Sequence, residues 1–310
     1  MALMLVDIVI VGGGPAGLSA ALVLGRARKQ VLLFDAGVPR NSRATHVHGF
    51  LTRDGIPPLE LRKLARAELA PYATVKLRTG RVQSIELRAG DPLHEGRFLV
   101  HADGETVAAR RVLLCVGVVD QVPATPGYRE LWGTSVFQCP YCHAWEARDQ
   151  KFGYVPREAH LETSFALLLR SWTRDLIVFT RGTDELPPEH RADLARAGIA
   201  IEERPIRGLR IEAGRLAAVE LTDGSEVARD VLFVHPPQCQ TPLVRSLELA
   251  MTDTDIHVDD CYETSVPGIH AAGDTTTPLD SAIFAAAAGA AAAYKINALI
   301  TKELVLNGLA

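Results

Sequence analysis

The residue types best suited to chemistry in this chain are two cysteines set three apart. Cys139-Pro140-Tyr141-Cys142 is the one close pair among five cysteines, the others being Cys115, Cys239 and Cys261. Cys-x-x-Cys at the start of a helix is a redox arrangement, because a helix N-terminus lowers a thiol's proton affinity and the thiolate is the nucleophile in exchange. Residues 143–148, HAWEAR, are compatible with one or two helical turns. A zinc centre needs four ligands, and Cys139, Cys142 and His143 have no second Cys/His pair at suitable spacing, so no metal is expected. Two alternatives are a purely structural pair and the CPYC of a glutaredoxin, which sits near the start of a small domain rather than after a complete nucleotide fold. The isolated cysteines read as small buried hydrophobes, and an odd total spread over a long chain is not a secreted disulfide scaffold.

A second set of residues is suited to holding a dinucleotide. LVDIVIV (5–11) is a β-branched run of the kind that forms a buried parallel strand, and Gly12-Gly13-Gly14-Pro15-Ala16-Gly17 fits G-x-G-x-x-G. Gly12 permits the tight turn, Gly14 lets backbone amides approach a pyrophosphate, and Gly17 lets the following helix pack on the strand. A helical stretch from Leu18 to Leu24 precedes a second apolar strand, Val31 to Phe34, that ends in Asp35, eighteen residues after Gly17. That is near the usual spacing for an acid on a ribose hydroxyl. The loop alone does not choose between nicotinamide and flavin. Near the other end, VPGIHAAGD (266–274) predicts a short strand, Gly268 to Ala272, then Gly273-Asp274 and a small-residue helix. It resembles the Gly-Asp element of flavin disulfide oxidoreductases, which contacts the ribityl chain and is followed by a helix aimed at the flavin; with the glycine loop, that resemblance favours flavin, whose reduced ring a helix N-terminus stabilises.

The elements that carry these residues belong to an ordinary globular chain. It has 310 residues, about two domains at roughly 150 residues each. Apolar residues are 47%, charged residues 23% and the net charge is −4, which excludes disorder and lacks the basic footprint of nucleic-acid binding. The stretch Ala282 to Tyr294 is thirteen residues long before Lys295, too short for a membrane span and read as a buried helix. MALMLVDIVIV has no basic segment and carries Asp7, so a soluble, cytoplasmic protein is expected.

Taken in order, GGGPAGLSAA (12–21), FDAGVPRN (34–41), CPYC (139–142) and AAGD (271–274) resemble the low-molecular-weight thioredoxin reductase family over nearly the whole chain. The resemblance implies an α/β fold of two Rossmann-like, three-layer nucleotide-binding domains. The FAD domain is discontinuous, residues 1–118 and 241–310, and a degenerate NADPH-type domain carrying the CxxC, residues 119–240, is inserted in it. Val119-Asp120-Gln121-Val122-Pro123 and His235-Pro236-Pro237-Gln238 suit such joins, being polar, proline-containing crossings after apolar runs. FAD contacts are implied at Gly12, Gly14, Pro15, Ala16, Gly17, Asp35, Ala36, Arg40, Asn41, His48, Val82, Gly117, Gly273, Asp274, Ala282 and Ile283. LLCVG (113–117) occupies the family's Ala-Thr-Gly segment but departs from it at Cys115 and Val116. By the same resemblance Cys142 faces the flavin and Cys139 exchanges with the substrate. His143 stands where reductases usually carry an acid; imidazole titrates near neutral pH and suits the same work, with Glu146 the second acid/base candidate. A homodimer is also implied.

One part of the family pattern is missing. A second G-x-G-x-x-A/G loop should follow the CxxC, but Lys151 to His160 reads KFGYVPREAH. Counted back from the helix containing ALLLRSW (166–172), the expected glycines fall on Arg157 and Ala159; counted from Gly153, they fall on Val155 and Glu158. Neither register leaves the bare backbone that a pyrophosphate needs. LIVFTRG (176–182) should lead into paired basic residues, yet only Arg181 is present before Asp184 and Glu185. NADPH is therefore not the expected electron partner. CPYCHAWE and His46-Val47-His48-Gly49-Phe50 resemble the branch of gliotoxin- and holomycin-type dithiol oxidases, which pass electrons from a dithiol through FAD to oxygen. Diflavin disulfide oxidoreductases and ferredoxin-dependent thioredoxin reductases also lack the NADPH site. Tyr141, Trp145 and Tyr154 are candidates to stack on a second flavin, and His46 or His48 to tune flavin protonation. The expected function is FAD-dependent dithiol/disulfide exchange, with a dithiol or disulfide substrate and oxygen or a second flavin as acceptor. Its competitors are a thioredoxin reductase using NADPH or ferredoxin, and a non-catalytic flavin-binding redox sensor.

Overall fold

Residues 3–157, 163–182 and 186–309 are described by the computed structural model. They form two units: Met1–Ser42 with Phe50–Val119 and Cys239–Ala310, and Arg43–Gly49 with Asp120–Gln238. In the first unit the apolar runs become parallel strands, since a strand covered by helices on both faces carries continuous rather than alternating hydrophobicity. β1 (Leu5–Val11) leads through the glycine loop into α1 (Pro15–Arg26) and β2 (Val31–Asp35), which is buried along its whole length. α2 (Pro58–Leu69) and β3 (Val75–Thr79) complete this half, and an antiparallel run follows: β4 (Val82–Leu87), β5 (Phe98–Ala102) and β6 (Glu105–Leu114). The sheet order is β3-β2-β1-β6-β5-β4.

The chain leaves on β7 (Val118–Asp120) and returns on β16 (Gln238–Gln240), and these two crossing strands pair. Between them lie α3 (Tyr128–Leu131), β8 (Val136–Phe137), α4 (Pro140–His143), β9 (Phe152–Val155), α5 (Thr163–Leu169), β10 (Leu176–Phe179), α6 (Pro188–Arg196) and β11 (Ala200–Glu202). An antiparallel trio, β12 (Ile206–Glu212), β13 (Arg215–Leu221) and β14 (Glu226–Ala228), precedes β15 (Val231–Val234). The main sheet of this second unit is parallel in the order β11-β10-β9-β15-β8, so strand order reverses between β9 and β15. Residues 43–49, which the sequence reading leaves in the FAD domain, pack with this unit. There Arg43 Nη1 donates to the Arg129 carbonyl at 2.7 Å, beside Gly133.

After β16 come α7 (Pro242–Ser246), the hairpin of β17 (Met251–Thr252) and β18 (Asp255–Ile256), β19 (Ile269–Ala271) and α8 (Ala282–Leu306). β19 lies parallel to the second half of β6. The helix runs twelve residues past the apolar stretch seen in sequence, through Lys295 to Leu306, because Ile296, Ile300 and Leu304 continue its buried face. Its length and apolar composition are those of a membrane span, yet this buried face shares a core with Leu18, Ala20, Ala21 and Leu24 of α1. The small residues explain how near the two helices come. A Cβ on Gly289 would lie 2.0 Å from the Ala16 carbonyl oxygen, so only glycine fits. Burying each of Ile296, Ile300 and Leu304 contributes about 2 kcal/mol.

A polar knot around the buried Arg111 and His270 ties α8 to the sheet. Arg111 on β6 donates to Glu263 at 3.2 Å and to Glu303 on α8, and its Nη1 lies 3.2 Å from His270 Nε2. Burial, and then the Arg111 charge, push His270 down to about 4. An unfolded histidine takes its proton near pH 6.5, so the native state binds fewer protons between those values. Stability contributed here is full above pH 6.5 and is lost on acidification toward pH 4. Melts over that range should show a loss of up to about 1.4 kcal/mol per pH unit from this site. His270→Gln should flatten that part of the profile, and an unchanged profile would refute the assignment.

Candidate active site

The first unit gathers the dinucleotide residues on one sheet edge. The glycine loop follows the C-terminal end of β1, Asp35 ends β2, Cys115 follows β6, and Gly273-Asp274 follow β19, all parallel neighbours. Gly12 has φ +111°, and a Cβ there would lie 2.2 Å from the Cys115 carbonyl oxygen. A Cβ on Gly17 would lie 1.9 Å from the Gly12 oxygen. Gly14 differs: it caps α1 in extended conformation, a Cβ on it would meet nothing within 4 Å, and no side chain caps the helix. Pro15 takes the first helical position, where its missing N–H costs nothing. With no acid in the first turn, the uncapped amides and the open space at Gly14 fit a pyrophosphate.

Asp35 reaches further than its spacing suggests. Its Oδ1 accepts from the Gly37 N–H at 3.0 Å, and its Oδ2 takes Arg62 and Arg66, one turn apart on α2. Burial alone would raise this carboxyl, but the Gly37 N–H and the two guanidiniums outweigh it and hold the group below the usual carboxylate range. Arg62 Nε also donates to the Gly13 carbonyl at 3.3 Å. Sequence reasoning missed both arginines; their i, i+4 spacing was the available signal. Arg40 bridges Asp274 at 3.0 Å and Asp280 at 2.9 Å, joining the FDAGVPRN segment to the Gly-Asp element. Gly273 has φ +86°, and a Cβ there would touch Ala16 at 3.0 Å. Ala282 and Ile283 open α8, where Ser281 caps Phe284 N–H at 3.3 Å; Ala36, Asn41 and Gly117 lie in connecting segments. Val82 begins β4 with its side chain in the core. Burial pushes the Cys115 thiol up, which leaves it inert.

The second unit holds the cysteines. Cys139 and Cys142 form a disulfide, with Cys139 capping α4 and Pro140 at the first helical position. α4 is a single turn, closed by Ala144 N–H to the Pro140 carbonyl at 2.8 Å, so its dipole is smaller than the sequence pattern suggests. His143 stacks on Phe137 with centroids 4.2 Å apart and planes 12° apart. Burial pushes His143 down to about 4, overriding the Cys139 carbonyl, which pulls it the other way. Neither ring nitrogen closes a hydrogen bond among the described residues. The near-neutral titration expected from residue type is thus replaced by an imidazole that stays neutral at pH 7. Glu146 pairs with His48 at 3.5 Å. The resemblance implies His48 as a FAD contact; it lies in the 43–49 segment that packs with the CxxC unit. His46 and His48 rings are 5.9 Å apart there.

A doubly wound sheet binds its ligand where strand order reverses, here at the C-terminal ends of β9 and β15. Three rings meet at that point. Tyr154 on β9 lies 4.9 Å from Phe165 of α5 and 5.8 Å from His235 after β15, and Phe165 and His235 are 4.2 Å apart. Tyr154 is fully buried, so the face expected to stack on a second flavin is not presented. Arg157 is exposed, and Arg181 Nη2 donates to the Pro156 carbonyl at 3.2 Å. Glu158, Ala159, Asp184 and Glu185 lie outside the described residues.

Residues 6–161 match the family model described as pyridine nucleotide-disulphide oxidoreductase. The chain belongs to that family. It is similar to thioredoxin reductase sirT of Leptosphaeria maculans, 31% identical over 94% of this chain and 93% of the relative. Thioredoxin reductase aclD of Aspergillus oryzae is 32% identical, with 96% of each chain covered. The crystal structure of HlmI superposes with TM-score 0.90 at 37% identity, covering 98% of this chain and 95% of HlmI. A pyridine nucleotide-disulphide oxidoreductase with these relatives is a flavin-dependent disulfide oxidoreductase of the thioredoxin reductase type, and the family binds FAD.

Proposed function

We propose that this oxidoreductase oxidises dithiols at Cys139–Cys142, without NADPH, and passes the electrons through one FAD per chain to oxygen. The observation that carries the reading is the trio Tyr154, Phe165 and His235 at the strand-order reversal of the second unit, where a nicotinamide dinucleotide would otherwise lie. The KFGYVPREAH segment, which lacks the second glycine loop, agrees with it. The same trio argues against a second flavin there, because it buries Tyr154.

In the reaction, a substrate thiolate attacks one sulfur of the Cys139–Cys142 bond and displaces the other; the second substrate thiol then resolves the mixed disulfide. The substrate gains an S–S bond and loses two S–H bonds, and the protein pair becomes a dithiol. His143, neutral beside the pair, is the proton acceptor: a thiolate formed next to it raises its proton affinity, which burial keeps low while the disulfide is closed. Glu146 and His48, 3.5 Å apart, form a second polar pair in the same unit. The first unit's loop amides would hold the pyrophosphate of FAD, and Asp35, paired with Arg62 and Arg66, would take the ribose. The chemistry FAD would supply there is that of a two-electron acceptor for the reduced pair and a donor to oxygen. The family resemblance also supports a homodimer.

The names of sirT and aclD favour a second reading, a thioredoxin reductase fed by NADPH or ferredoxin. An anaerobic titration of the purified protein separates the two. Dithiol should bleach the flavin absorbance and NADPH should leave it unchanged, with one flavin per chain. Rapid bleaching by NADPH would make the protein a conventional reductase.

A further inference from the structure

Neither the disulfide chemistry nor the flavin elements account for a group of aromatic and basic side chains in the second unit. Tyr141, between the two cysteines, is 70% exposed, and Trp145, three residues past Cys142, is 63% exposed. Large rings this open, side by side with a reactive pair, mark a surface that something covers. Each has a side-chain partner. Tyr141 meets Trp172 edge-on at 5.6 Å, and the Arg148 guanidinium lies 4.4 Å over the Trp145 ring. Trp145 and Trp172 line a cavity of about 350 Å³, together with Arg148, Arg170 and Arg174.

The charge of this cavity runs against that of the chain. Its lining holds three guanidiniums and one carboxylate, Asp149, while the whole chain carries −4. Arg148 Nη1 donates to the Trp145 carbonyl and Arg170 Nη1 to the Thr173 carbonyl, each at 2.8 Å, and Arg174 is exposed. Carbonyl acceptors orient the Arg148 and Arg170 guanidiniums without neutralising them, so each keeps donors for an anion.

We propose that this arginine–tryptophan shelf docks a small dithiol bearing a carboxylate and presents it to the Cys139–Cys142 disulfide. The carboxylate binds the guanidiniums, the apolar body lies on the rings, and the dithiol reaches the sulfur pair. The inference rests on the dithiol-oxidation reading and names its substrate class. The electron balance is that of the reaction above, two electrons and two protons passing from the docked dithiol to the protein disulfide.

Dihydrolipoate and dihydrolipoamide test it, since they share one dithiol and differ by a carboxylate against a neutral amide. In anaerobic flavin reduction by the holoenzyme, KM for dihydrolipoate should be about five- to tenfold lower. The gap should shrink as salt rises and close in the Arg148→Gln/Arg170→Gln/Arg174→Gln variant. Equal KM values in the wild type, or a preference that survives in the variant, would overturn the proposal. Quenching of tryptophan fluorescence by oxidised lipoate and lipoamide reads binding without turnover. If neither dithiol reduces the flavin, the dithiol-oxidation reading fails, and the shelf is judged on this signal alone. Lipoate-selective quenching, lost in the triple variant, supports it; equal or absent quenching overturns it. Salt-sensitive saturation by an acidic protein dithiol, with no lipoate preference, would likewise overturn it and assign the surface to a protein.

Discussion

Cys142→Ser should leave a yellow, folded protein whose flavin a dithiol reduces about a thousandfold more slowly, or not at all. Serine nearly matches cysteine in volume, and Cys142 is half-buried in a one-turn helix, so the fold tolerates the change. What disappears is the electrophilic S–S bond that a substrate thiolate attacks. No other cysteine can stand in. Cys115 is buried with its thiol pushed up, and Cys239 and Cys261 are free thiols with no disulfide to offer. Anaerobic stopped-flow absorbance gives the rate, and Cys139→Ser should behave alike because either serine removes the same bond. Full-speed reduction in both variants would mean that electrons reach the flavin without the pair, and the dithiol-oxidation reading would fall.

Two glycines of one loop should respond to substitution in opposite ways. Gly12→Ala places a methyl 2.2 Å from the Cys115 carbonyl oxygen, on a residue at φ +111°. Backbone must move just after β1 and just after β6, and a loss of about 3 kcal/mol or more is expected, seen as insoluble or cold-melting protein. Gly14→Val is different in kind. Gly14 is in extended conformation with open space around its missing Cβ, so valine fits the apo fold at a cost of about 1 kcal/mol for the weaker helix cap. The new side chain fills the space left for the pyrophosphate, and FAD should be lost on purification. The proper comparison is wild-type protein stripped of FAD, because bound cofactor itself raises the melting temperature. A yellow Gly14→Val protein would remove the loop from the cofactor site.

Several residues show how far residue type and spacing carried. Gly12 and Gly17 were readable because each does a backbone job that no other residue can do, and the contacts their Cβ atoms would make say the same. Asp35 was readable by its distance from the loop, but Arg62 and Arg66 were not, since α2 returns to β2 only through the fold. His143 was legible as a candidate and not as a titrating group: its neighbour Phe137 is six residues away, and burial, not residue type, lowers its proton affinity. Tyr154 looked like a stacking face and is a core residue, because β9 is central in its sheet.

The sequence alone determined the family, the order of elements, the glycine loop and the redox pair, because these depend on contacts between residues near each other in the chain. The loss of the second glycine loop was visible in the same way. Only the tertiary structure decided which rings meet at the strand-order reversal, where His48 lies, and which arginines gather near Trp145 and Trp172. Those answers come from the meeting of strands and helices far apart in sequence. β9 and β15, β2 and α2, and the turn at Trp145 with the Arg170–Arg174 segment are each brought together by packing. Burial and the local field, which fix proton affinities and docking surfaces, follow from that packing and cannot be read from residue type.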